Sequence, residues 1–213
     1  MFSKIATCAA LASTANAYLW IETFDDGPKF RISWDYDREM IKFEAEVPHN
    51  MKLGLGFGLG MTNVDMAFFQ SIEGGEVIDL WSPGYVNPIV DTTQDFKDIR
   101  IAKKDKEGRV LKFEAYRDLK TGDHTQDAAF ECGRVYDWTW VVNEDASKLF
   151  MHNHDGVFLI QFGDDCFIET SAIAKQGHTH SHDNKVNMLQ SGSSALGASL
   201  IALGAATVGM TLF

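Results

Sequence analysis

Basic charge is what this sequence most lacks. Nineteen lysines and arginines face thirty aspartates and glutamates, for a formal net charge of −11. Binding to nucleic acid or to anionic lipid needs clustered Lys and Arg. The pair Lys103-Lys104 is followed at once by Asp105, so a nucleic-acid partner is excluded. Catalytic signatures are absent too: there is no Gly-x-Ser-x-Gly elbow, no His-Glu-x-x-His and no P-loop. No Asn-x-Ser/Thr occurs, so N-glycosylation is not expected. A Cys-x-x-Cys-His is also missing, which excludes covalent haem attachment of that kind. No catalytic activity of its own is expected.

Cysteine is scarce, at three residues. Cys8 falls in what reads as an export signal: Lys4, an apolar run from Ile5 to Leu11, and the small-x-small site Ala15-Asn16-Ala17. That apolar run is too short to span a bilayer as a helix. Residues 1–17 are expected to be a signal peptide, cleaved after Ala17. In an oxidising compartment Cys132 and Cys166 are then expected to form a disulfide, the alternative being two separate buried thiols. At the other end, uncharged residues run from Ala195 to Phe213 behind the small cluster Ser191-Gly192-Ser193-Ser194. Small residues, a spacer and an apolar tail read as a GPI-attachment signal over 191–213, with Ser191 or Gly192 as the lipid-bearing residue. A membrane-anchoring helix is the alternative. Either places the protein on the extracellular face of the plasma membrane.

The central ~175 residues suffice for one domain with a sizeable core. Their dominant period is two, the mark of strands with one buried face. Phe30, Ile32, Trp34 and Tyr36 alternate with polar residues, the chain turns at Asp37-Arg38-Glu39, and Ile41, Phe43, Ala45 and Val47 alternate again. That is a β-hairpin. From Leu53 to Gly60 every second residue is glycine, which marks close approach either by a ligand or by neighbouring side chains and backbone. Further strands are expected over 64–70, 76–81, 110–117, 135–142 and 157–162, with turns at Gly74-Gly75, Pro83-Gly84, Glu107-Gly108, Thr121-Gly122-Asp123 and Asp155-Gly156. No long central segment has a helical period. The pattern predicts an all-β protein, an antiparallel sandwich or barrel. Residues 172–190 are polar and aperiodic and read as a flexible stalk.

Several of these segments resemble the DOMON domain family. Trp34-Asp35 and Ile41-Lys42-Phe43-Glu44-Ala45 are similar to its opening hairpin. The run Leu55 to Met61 followed by Asp65-Met66 resembles its glycine-rich strand and the next one. Asp91-Thr92-Thr93-Gln94-Asp95 resembles its Asp-x-x-Gln-Asp segment. Leu111 to Arg117, with Leu119 and Asp127, is similar to the strand ending in arginine, and Leu149-Phe150-Met151-His152 through Gly156 to its late histidine turn. The segments occur in order from about Trp20 to Phe162.

The resemblance implies a single domain over 18–171 with an antiparallel immunoglobulin-like β-sandwich fold, holding a ligand against one sheet. Members bind b-type haem or are thought to bind sugars. In haem-binding members one Met and one His hold the iron, and the resemblance assigns those positions to Met61 and His152, with His154 as an alternative. Thioether and neutral imidazole together suit a low-spin iron used for electron transfer. The implied cofactor is haem b, and the partner an extracellular redox protein. The other reading is a module that binds a glycan or small ligand, with Trp81, Tyr85 and Trp138 as stacking platforms. A third cluster, His178, His180 and His182, could present imidazoles weakly to a transition metal. It lies in the stalk, where no second shell fixes the rings.

Overall fold

In the computed structural model residues 18–147 and 152–169 are described, together with the backbone of 175–179. The expected export and anchor signals lie outside these, as do His180, His182 and the start of the late histidine turn. The described residues belong to one compact unit. They contain no helix, only β1 (Tyr18–Glu22), β2 (Lys29–Asp35), β3 (Met40–Pro48), β4 (Lys52–Gly56), β5 (Val64–Gln70), β6 (Glu76–Ser82), β7 (Ile89–Val90), β8 (Lys97–Lys103), β9 (Val110–Arg117), β10 (Val135–Asn143), β11 (His154–Phe162), β12 (Ile168–Glu169) and β13 (Lys175–Thr179).

Two antiparallel sheets result. Five strands form the first, in the order β1-β2-β3-β9-β8; the second runs β12-β11-β10-β4-β5-β6-β7, with β13 also pairing β11. The fold is therefore the expected all-β sandwich. Alternation decides which side chains face inward. Phe30, Ile32, Ile41, Phe43 and Val47 of the first sheet meet Leu53, Leu55, Phe69, Trp138 and Phe158 of the second in one core. Trp138 is wholly buried and packs on Phe57 at 4.6 Å between ring centres. It is no stacking platform for a sugar, since its position on β10 points it into the sandwich.

The predicted hairpin forms as β2-β3, with Trp34 opposite Ile41. Its turn is held by Asp35, whose Oδ1 accepts from the Arg38 N–H at 3.1 Å. The turn between β5 and β6 needs glycine at Gly75. There φ is +91°, and a Cβ would lie 2.8 Å from Leu111 Cδ1. Cys132 and Cys166 are bonded to each other, with Cα atoms 4.6 Å apart. The link ties the approach to β10 to the turn between β11 and β12. Within the stretch read as a stalk, Lys175–Thr179 pairs as a strand with β11.

The glycine-rich run is shorter as a strand than its pattern, since β4 ends at Gly56 and Gly58 to Gly60 turn. Side chains of the neighbouring strands occupy the space its glycines leave. A Cβ on Gly54 would fall on Phe68 of β5 and 2.7 Å from Val141 Cγ2 of β10, and one on Gly56 would lie 2.5 Å from Thr139 Oγ1. The missing Cβ atoms therefore let β5 and β10 lean their side chains together over β4.

Candidate functional site

Those leaning side chains make the floor of a cavity on the outer face of the second sheet. Strand register lays it out in rows. Ile78, Phe68, Gly54, Val141 and Asp155 stand abreast across five strands, and Leu80, Met66, Gly56 and Thr139 form the next row. Both rows are mainly apolar, and Val64, Met66 and Leu80 form a buried cluster separate from the core, with Phe68 and Ile78 packed on it. A third row, Gln70, Lys52 and Asn143, is polar and closes one end. The cavity measures about 430 Å³, within the ~300–1,000 Å³ usual for small-molecule and cofactor sites.

Met61 and His152, far apart in the chain, both line this cavity. Met61 sits in the loop after β4, where the Ser82 hydroxyl donates to its carbonyl at 2.6 Å and fixes the backbone. His152 precedes β11. Its Nε2 lies 3.9 Å from Asp155 Oδ1, and its side chain is 28% exposed. That separation is too long for a hydrogen bond, so the two groups are near neighbours at the edge of the cavity. His154 goes elsewhere: it stacks on Phe24 at 4.1 Å, and its Nε2 lies 3.0 Å from Glu144 Oε1. His178 stands opposite Asp155 in the register of β13 with β11. Tyr85 also lines the cavity and is 86% exposed, whereas Trp81 opens on a different crevice.

That second crevice, about 370 Å³, reaches Asp65 and Asp127 in a buried charged cluster that the sequence did not announce. Asp65 in β5, Asp79 in β6 and Asp127 before β10 bring carboxylate oxygens within 4.8 Å of one another. Arg117, at the end of β9, is fully buried beside them. Its Nη2 donates to Asp65 Oδ2 at 2.6 Å and to the Ala128 carbonyl at 3.0 Å, and lies 3.6 Å from Asp127 Oδ2. Its guanidinium carbon is 5.2 Å from the centre of the Phe57 ring.

One guanidinium does not balance three carboxylates taken out of water. Burial pushes Asp65 up to about 6, against the pull of Arg117 and of the Ala128 N–H. Burial, reinforced by the charge of Asp65, pushes Asp79 up to about 8, although the Asp95 N–H donates to its Oδ2 at 3.1 Å. Burial raises Asp127 as well. The excess negative charge can be met by protons, or by a hard cation that prefers carboxylate oxygen. The Asp-x-x-Gln-Asp segment frames this cluster: Gln94 Nε2 donates to the carbonyls of Asp79 and Asp91, both at 2.9 Å.

The fold is an all-β sandwich with a mainly apolar cavity on the outer face of its second sheet. The family model described as the DOMON domain matches residues 26–143, more than half of the chain, and the protein belongs to the DOMON domain family. No curated protein matches it. Among solved structures it is similar to the cytochrome b domain of pyranose dehydrogenase from Coprinopsis cinerea, with TM-score 0.50 and 12% identity over 67% of this chain and 81% of that one. A second is the cytochrome domain of Myriococcum thermophilum cellobiose dehydrogenase, at TM-score 0.49 and 16% identity over 70% and 83%. At 12% identity the likeness to the first is one of fold.

Proposed function

We propose that this DOMON domain binds a non-covalent b-type haem in the cavity of the second sheet and exchanges single electrons with an extracellular redox partner. The reading includes export and tethering at the plasma membrane by a C-terminal lipid anchor or helix. The observation that carries it is the meeting of Met61 and His152 in one mainly apolar cavity. The fold it shares with a solved cytochrome b domain is in keeping with that use.

The residues present fit the group. Met61 offers a thioether and His152 an imidazole, the donor pair suited to a low-spin iron. A b-type haem, when bound, supplies a one-electron iron couple. Phe68, Ile78, Leu80 and Val141 exclude water from a flat apolar ligand, and low polarity around such a centre tunes its potential. The Asp155 carboxylate, 3.9 Å from the His152 Nε2, would favour a positive charge on that side of the site. The Ser82 hydroxyl anchors the loop that carries Met61. A sugar site would need several convergent hydrogen-bonding groups, and the central rows of this cavity are mainly aliphatic and aromatic.

Absorption spectra of the full chain, secreted with haem supplied and recorded oxidised and dithionite-reduced, test the reading. A low-spin b-type spectrum is expected. A folded protein that stays colourless in excess haem contradicts it, and binding to immobilised glycans then becomes the measurement to make.

A further inference from the structure

Charge is distributed unevenly around the cavity. Among the described residues its lining contains one ammonium, that of Lys52, and one carboxylate, that of Asp155. They stand in different rows: Lys52 lies between Gln70 and Asn143 at the polar end, while Asp155 lies beside Val141 and His152. Gln70 is occupied in part, its Nε2 donating to Glu76 at 2.9 Å. Burial lowers the pKa of Lys52, an effect that the charge of Asp145 opposes. A second anion reaching into the cavity at this end would favour the ammonium further, whereas the same anion near Asp155 would be repelled.

We propose that Lys52 is the anion-binding residue of this cavity, pairing with a carboxylate of the bound ligand and thereby fixing which way round it enters. The inference rests on the haem reading, in which the carboxylate is a propionate of the porphyrin. Lys52 is carried by the rigid strand β4 rather than by a loop, with both neighbouring strands paired to it. Its ammonium is therefore presented from a fixed backbone to the edge of whatever occupies the apolar rows. A charge-assisted hydrogen bond at a partly desolvated site is stronger than a neutral one and selects orientation as well as affinity. Lys52 is a binding and positioning residue here, distinct from the pair that would hold the iron.

The test titrates the full-length protein, stripped of haem, with two probes: haem, and the haem dimethyl ester, in which both propionates are neutral. Binding is read from the Soret absorbance for the wild type, Lys52→Met and Lys52→Arg. Far-ultraviolet circular dichroism confirms that each variant folds. Haem is expected to bind Lys52→Met about tenfold more weakly than wild type, a loss typical of one charged hydrogen bond. Lys52→Arg should recover most of that loss, and the ester should bind all three proteins alike. Equal haem affinity in wild type and Lys52→Met overturns the inference while leaving the haem reading intact. An equal loss for haem and ester also overturns it, because the lysine would then act through packing. A wild type that takes up neither porphyrin overturns the haem reading and this inference with it.

Discussion

Replacing Asp79 by Asn should stabilise the protein at alkaline pH and leave it nearly unchanged at pH 5. Asp79 is 0% exposed, and its carboxyl rises from an ordinary 3.8 to about 8, first through burial and then through the charge of Asp65. A carboxyl raised on folding adds stability that is fully present below its unfolded value and is lost as pH climbs through its folded value. The window therefore runs from about pH 4 to pH 8. Linkage amounts to about 1.4 kcal/mol per pH unit for each proton. Between pH 5 and 8 Asp79 alone would cost up to about 4 kcal/mol, and Asp65 titrates in the same field, so the two steps are shared. We expect the wild type to lose about 2–4 kcal/mol over that range. In Asp79→Asn the amide oxygen can still accept the Asp95 N–H, and the amide NH₂ faces carboxylates in place of a repelled charge. Urea denaturation followed by tryptophan fluorescence, at pH 5 to 9 with chelator present, measures both proteins. Wild-type stability that is flat or rises over this range would refute a buried, proton-holding Asp79. So would an Asp79→Asn variant destabilised by the same amount at every pH.

Three other outcomes follow from the same geometry. Met61→Ala and His152→Ala should each abolish the low-spin haem spectrum, while His154→Ala should retain it; a spectrum indifferent to Met61 and His152 removes them as iron donors. Cys132→Ser should lower stability by roughly 3–4 kcal/mol, because the bond to Cys166 spans 34 residues of sequence, and denaturant midpoints would show it. Gly54→Ala should destabilise by about 1–3 kcal/mol and reduce haem affinity, since the added methyl displaces the Phe68 ring and Val141 that make the cavity floor; unchanged stability would contradict this packing.

The sandwich was legible wherever one strand face is buried. Phe30, Ile32 and Phe43 point inward every second residue, and the hairpin they predicted formed within a residue of its expected ends. Strand β8 escaped because Lys97–Lys103 is an edge strand exposed along nearly its whole length, so no apolar alternation marks it. β7 and β12 are two residues each, too short to carry a period. The glycine run left two explanations open, and its answer depended on Phe68 and Val141, residues of other strands. The buried cluster went unread for a related reason. Asp65, Asp79 and Asp127 are widely spaced in sequence, and only the pairing of β5 with β6 and the burial of Arg117 bring them together. A hint was present: Val64-Asp65-Met66 and Ile78-Asp79-Leu80 each set a carboxylate in an apolar strand, where an unpaired charge is costly. Trp138 is buried and is not a platform; period two alone does not say which face of a strand is inward.

If Met61 and His152 face a haem in one cavity, methyl NMR of the reduced, haem-loaded protein should reveal it. With methionine methyls labelled, one resonance is expected far upfield of the others, driven there by the porphyrin ring current, and it should be lost in Met61→Leu. Methionine methyls that all keep their ordinary shifts when haem is bound would contradict it.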